Sequence, residues 1–184
     1  MTGLLEERRT MTLEEFLALP EQDEQGNHFE LDEGELIILS PVGAPHARRV
    51  TAISAYLFQL LDAATYDVLT GEAGILLAYN PRPIVRGMDI AVLYKQDTPE
   101  RGMVRTPPLL IVEVISPGNS PIDLERKRRQ YLEFGTQEVW FVYEETKTIH
   151  VCRGTEPTIE VYAAPETFRC RPLNTTMETA ELFR

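Results

Sequence analysis

Residues 109–116 read LLIVEVIS. Seven of these eight positions suit a strand covered on both faces, as in the middle of a sheet, but the fifth, Glu113, is a carboxylate. Period-two alternation puts Leu109, Ile111, Glu113 and Ile115 on one face and Leu110, Val112 and Val114 on the other. A lone ionised carboxylate there costs on the order of several kcal/mol unless it is protonated, paired or bound to a cation. The stretch therefore predicts a central strand and, with it, a partner for Glu113.

A second stretch, GMDIAVLY at 87–94, repeats the anomaly, with Asp89 sharing a strand face with Ala91 and Leu93. Two carboxylates left to themselves would repel, and one would be driven to hold its proton. A divalent cation between them removes the conflict, and hard oxygen ligands of this kind suit Mg²⁺ or Mn²⁺.

The third group comes from the helix predicted after LLIVEVIS. Ser120 stands at its N-cap, Pro121 at its first position, Asp123 near its positive end and Gly135 beyond its last turn. At about 100° per residue, Phe134, Lys127, Tyr131 and Leu124 share one arc, with Arg126, Arg129 and Glu133 on the other side. Lys127 thus lies within the apolar arc, where an ammonium group calls for an anion such as two carboxylates or a phosphate. Arg126, Arg128 and Arg129 read as a solvated basic face.

Each of these residues has a plain structural reading as well. Glu113 could be an edge residue or a salt-bridge partner, Asp89 a residue at the start of a strand, and Lys127 a side chain that snorkels to water. The combination of strand, strand and helix is what points to a site. His46 lies one helical turn before Val50, on the side that carries Ile53, Leu57, Leu60 and Leu61. It reads equally as a satisfied core or interface histidine and as a site residue. Glu72, in the loop TGEAGI, reads as a solvated loop glutamate or a further ligand.

The remaining elements fall around these. TLEEFLALP carries a capping box from Thr12 to Glu15 and stops at Pro20. FELDEGELIILSP predicts a hairpin turning at Asp32 to Gly34. A helix is predicted from Ala44 to about Ala64, then strands YDVLT and GILLAYN on either side of the Glu72 loop. VWFVYEE and TIHVC close the main sheet, with a weaker strand and tail to follow. This order implies one α/β domain over 1–184, a mixed central sheet flanked by helices, with an N-terminal helix and β-hairpin.

A chain of 184 residues can bury a core without staples or a structural metal. Hydrophobic content of 43% with 26% charged residues fits a soluble globular protein, and no apolar run reaches the ~20 residues of a membrane span. The opening MTGLLEERRT is too polar for a secretory signal. Cys152 and Cys170 have no metal-ligand spacing and read as reduced structural thiols in a cytoplasmic protein. The net charge of −11 argues against a protein that coats nucleic acid nonspecifically, while leaving room for a metal-dependent phosphate site.

FELDEGELIILSP, His46, the aspartate of GMDIAVL and the run EVISPGNSPIDLERKRRQYLEFGTQEVWFV together resemble the Uma-two family of putative restriction endonucleases, within the PD-(D/E)xK nuclease superfamily. The resemblance runs from TLEEFLALP to VWFVY and is most specific between Glu113 and Trp140. It implies a restriction-endonuclease-like fold in which Asp89 is the motif aspartate, Glu113 its acidic partner, and Lys127 a lysine that has migrated to the following helix. The classical lysine position, two residues beyond the acid, holds Ile115. Glu30 matches the glutamate of the hairpin motif, which implies an auxiliary role. Met88 stands where a proline usually precedes the aspartate, and Tyr143 where the family often has Asp.

The expectation is therefore a Mg²⁺- or Mn²⁺-dependent endonuclease acting on DNA, with Asp89, Glu113 and Lys127 catalytic, Asp89 and Glu113 on the metal, and Glu30, His46 and Glu72 auxiliary. Cutting both strands of a duplex is most simply done by a homodimer. The alternative is a catalytically inactive nuclease fold kept as a binding or regulatory module, which the acidic balance favours. A plain structural salt bridge between Lys127 and Glu113 is a third reading.

Overall fold

The computed structural model describes residues 10–154 and 158–184; the N-terminal stretch at 1–9, expected not to be a signal, lies outside them. Contacts divide the chain into two compact units. The first takes the chain through Pro41 together with Leu76–Arg86, and the second takes Val42–Ile75 and Gly87–Arg184.

The first unit opens with helix α1 (Leu13–Leu17), whose capping box is closed in both directions: Glu15 N–H donates to Thr12 Oγ1 and Thr12 N–H to Glu15 Oε2. Strands β1 (His28–Asp32) and β2 (Glu35–Leu39) form the expected antiparallel hairpin. Its turn residues Glu33 and Gly34 have φ of 51° and 85°, the left-handed pair that suits the twist of a two-residue hairpin loop. Gly34 has a second constraint, since a Cβ there would stand 2.9 Å from Thr10 Cβ.

The second unit begins with helix α2 (Ala44–Leu60), which ends four residues earlier than expected, with Leu61 as its C-cap. Strand β3 (Tyr66–Ala78) corrects the sequence reading. The two strands predicted around a Glu72 loop are one strand of 13 residues, with Gly71 and Glu72 kept inside it at φ of 80° and 58°. Strand β4 (Ile84–Tyr94) follows, then β5 (Leu110–Ile115), α3 (Pro121–Phe134), β6 (Glu138–Tyr143) and β7 (Thr148–Arg153). The strands β8 (Ile159–Ala163), β9 (Thr167–Cys170) and β10 (Thr175–Glu178) and the helix α4 (Thr179–Leu182) end the chain. β3 and β4 each run through both units, so the strand order is β2-β1-β4-β5-β6-β7-β8 with β3 on β4.

The sheet is mixed. β4 and β5 are antiparallel, β5 and β6 parallel across α3, and β6, β7 and β8 antiparallel again. A parallel pair needs a crossover, and α3 supplies it. Its borders are as predicted: Ser120 accepts from Ile122 N–H, and Gly135 takes the left-handed conformation at φ 110°.

The predicted faces of β5 hold. Leu110, Val112 and Val114 pack with Ile53 and Leu57 of α2 and with Ile90, Trp140 and Val142. The same core takes in Phe168, Cys170, Met177 and Leu182. The expected weak strand is β8, and the segment expected as a tail is a β-hairpin and helix that finish the core, because Phe168 and Cys170 alternate inward. Trp140 meets Phe168 edge to face with centroids 5.0 Å apart. Arg49 of α2 ties this ending in place, donating to the carbonyls of Leu182 and Arg184 and to Glu144.

Candidate active site

Glu113 has the partners its burial demands. The Tyr131 hydroxyl donates to Oε1 at 2.7 Å, and Lys127 Nζ stands 3.4 Å from Oε2. Both come from the inward arc of α3, four residues apart on one helix face. Lys127 is largely withdrawn from solvent, its side chain 18% exposed. A lysine and a tyrosine one turn apart thus meet one carboxylate on the strand that precedes their helix.

Asp89 sits on β4, one position beyond the register pair Ile90 and Val112. Continuing that antiparallel register puts it opposite Glu113. Its Oδ2 accepts from the backbone N–H of Val114 at 2.7 Å, and its Oδ1 lies 3.0 Å from His46 Nε2. His46 enters from the first turn of α2 and reaches across 43 residues of sequence to this carboxylate. Ser116, at the end of β5, places Oγ 3.5 Å from the other ring nitrogen, Nδ1.

The hydrogen bond to Asp89 holds the His46 pKa above its ordinary value, against the opposing pull of burial. The charges of Asp89, Glu113 and Glu72 raise it further. One imidazole therefore feels three carboxylates, which connects Glu72 to the site electrostatically. Glu72 is half-buried and carries its positive φ within β3. A non-glycine residue in this conformation costs on the order of 1–3 kcal/mol, strain that tends to occur where a side chain has a task.

The second unit thus brings together His46, Asp89, Glu113 and Lys127, with Glu72 within electrostatic reach. Glu30 belongs to the first unit, where Arg86 donates to it at 2.9 Å and pairs with Asp32 at 2.9 Å. All three are buried, so each charge has an opposite charge beside it where an unpaired one would be costly. Tyr131 and Ser116 were not singled out from sequence. Tyr131 had a signal, its i+4 relation to Lys127 on the inward face; Ser116 had none beyond its place at the end of a central strand.

Arg128 corrects the expectation of a wholly solvated basic face. It is buried, and its guanidinium is held by Glu125 one turn earlier at 2.6 and 2.7 Å. The fork stays paired while its stem is covered, which a solvated arginine has no need of.

Among the described residues, no three of His, Cys, Asp and Glu converge as a ready-made metal cage. The donor set nevertheless fits Mg²⁺, which keeps several waters and is bound through one or two carboxylates plus substrate phosphate. Asp89 and Glu113 supply two hard oxygen donors on adjacent strands, and His46, the Val114 N–H, Lys127 and Tyr131 beside them are hydrogen-bond donors or cations.

The chain is an α/β protein whose mixed sheet carries two carboxylates on neighbouring strands and whose crossover helix carries the lysine beside them. The family model described as putative restriction endonuclease matches residues 13–178, and the chain belongs to that family, Uma2. Among solved structures it is similar to the crystal structure of a putative nuclease belonging to DUF820 from Anabaena variabilis, at 22% identity and a TM-score of 0.71. That likeness covers 94% of this chain and 97% of the other, and it shows the fold. No curated protein matches the chain. No helix among the described residues is long and apolar enough to cross a membrane.

Proposed function

We propose that the chain is a Mg²⁺- or Mn²⁺-dependent nuclease that hydrolyses phosphodiester bonds of DNA. The observation that carries this reading is the facing pair Asp89 and Glu113, with Lys127 3.4 Å from the second carboxylate. Membership of a family described as putative restriction endonucleases supports it.

In this reading Asp89 and Glu113 hold the cation, which when bound lowers the pKa of water and offsets charge on a phosphate. Lys127 leaves its pairing with Glu113 to orient the attacking water or to neutralise charge on the phosphoryl oxygens. Tyr131 keeps the Glu113 carboxylate at a set orientation, and His46 with the Val114 N–H does the same for Asp89. Glu72 and Glu30 are auxiliary: the first adds negative potential near His46, and the second orders the hairpin through Arg86. Two copies of the chain would cut both strands of a duplex, each supplying one site.

A second reading, a non-catalytic nuclease-fold module, draws on the pairing of Glu113 with Lys127 and Tyr131 and on the net charge of −11. One experiment separates the two. Purified protein is incubated with single-stranded, duplex and branched DNA and with RNA, with Mg²⁺ or Mn²⁺, and Mn²⁺ binding is followed by calorimetry. The nuclease reading expects cleavage that falls by at least about a hundredfold in Asp89→Ala and Lys127→Ala, and Mn²⁺ binding that is lost in Glu113→Ala. Cleavage unchanged in these variants, or none by the wild type, overturns it.

A further inference from the structure

A cavity of about 350 Å³ opens on the α3 side of the sheet, immediately beyond the candidate site. Phe141, Tyr143 and His150 form its sheet wall, and Leu124 and Arg128 its helix wall. Phe141 and His150 are register partners on β6 and β7, and the Tyr143 and His150 rings lie 4.4 Å apart between centroids. The cavity begins at Ile115 and Ser116, so it starts on the face of β5 that carries Glu113, two residues further along. Ser116 belongs to both places, since its Oγ is also the group beside His46.

We propose that this cavity is a nucleobase subsite, which receives one base of a DNA strand whose phosphate lies at Asp89, Glu113 and Lys127. The proposal rests on the nuclease reading and names how that site holds its substrate. The volume sits near the lower end of ligand pockets, roughly 300–1,000 Å³, and suits one planar ring system with its sugar. Tyr143 and His150 offer ring faces on which any base can stack. Arg128 and Glu125 offer donors and acceptors at the edge of such a ring.

The charges favour a neutral ring over a phosphate in the cavity. Its carboxylates are Glu125, Glu144 and Glu145. Glu125 is paired with Arg128, and Glu144 with Arg49 and Lys147. No net positive charge is left to hold an anion, whereas Lys127 stands at the other end, beside Glu113. Burial lowers the His150 pKa and raises that of Tyr143, so both rings are neutral at pH 7.

The test titrates a short single-stranded DNA carrying one internal 2-aminopurine with the full chain, without divalent metal. Saturable quenching of the 2-aminopurine is expected for the wild type and for Ile38→Ala, an exposed residue of β2 outside the cavity. Kd should rise about tenfold in Leu124→Trp and Tyr143→Ala, which fill the cavity or remove a stacking face. Ile159→Trp, at the exposed rim, replaces Leu124→Trp if that variant fails to fold. Equal quenching in the wild type, Tyr143→Ala and Ile159→Trp overturns the proposal, as does binding without quenching or no binding. Loss in Ile38→Ala equal to that in Tyr143→Ala puts the base outside the cavity and also overturns it. Free 2-aminopurine nucleoside binding as tightly as the oligonucleotide overturns the DNA source in favour of a small-molecule effector. Metal titration and cleavage decide the nuclease reading separately, so either can fail alone.

Discussion

Glu113 is a buried carboxylate whose two oxygens face a phenol and an ammonium group from one helix. Tyr131→Phe keeps the ring and removes the donor, so the expected loss is that of a hydrogen bond to a charged group, about 1.5–3 kcal/mol. Urea unfolding measures it; a midpoint equal to wild type would show that the bond contributes nothing net. Lys127→Met gives a different expectation, because it removes the charge that balances Glu113 while keeping the apolar stem. Mn²⁺ bound at that carboxylate should then raise Tm more in the variant than in the wild type, since no ammonium competes with it. A thermal melt with and without Mn²⁺ reads this out, and an equal or smaller shift in the variant contradicts it. At this scale the sequence was informative about charge out of place: Glu113, Asp89 and Lys127 each broke the pattern of their element. Arg128 broke no pattern, because its pairing with Glu125 looks like any exposed i,i+3 pair until the sheet covers its stem.

Helix α3 carries both the lysine and the tyrosine, so its borders set the position of the site. Ser120→Ala removes the acceptor for Ile122 N–H and should cost about 1 kcal/mol. Gly135→Ala should cost more, since φ is 110° and a Cβ would stand 3.1 Å from Pro107 Cγ. Chemical denaturation of both variants checks the order, and Gly135→Ala as stable as Ser120→Ala contradicts it. The caps of α1 and α3 were legible because a cap is a bond between residues two or three apart, written wholly in local sequence. β3 was not. Gly71 and Glu72 have the look of a turn, yet the strand continues through them, since pairing with β4 outweighs the local preference of two residues.

Across the whole molecule, the C-terminal hairpin and α4 belong to the same core as the strands beside the site. Cys170 is buried in it, while Cys152 is buried on the opposite face of β7, the side of His150; both thiols are free. Burial pushes the Cys152 thiol up to about 11 and raises that of Cys170 as well. Neither forms appreciable thiolate at pH 8, so a disulfide-exchange reagent should titrate no thiol in the native protein and two after denaturation. A rapidly reacting Cys170 in the native state would mean that the C-terminal segment opens far more easily than its packing implies. Arg49 ties that segment to α2, and nothing in its own helix announced it: its acceptors lie 95 to 135 residues away.

The same division runs through the protein as a whole. Periodicity, caps and misplaced charges act within one strand or one helical turn, and the chain alone therefore specified the hairpin, α3, both faces of β5 and the carboxylates needing partners. Tertiary pairing decided which of them meet. Asp89 faces Glu113 only in the register that pairs Ile90 with Val112, and a slip of one residue would turn every side chain to the opposite face. His46 reaches Asp89, 43 positions along the chain, only once α2 is packed on the sheet. Those arrangements depend on loop closure and packing between distant segments, which no local pattern records.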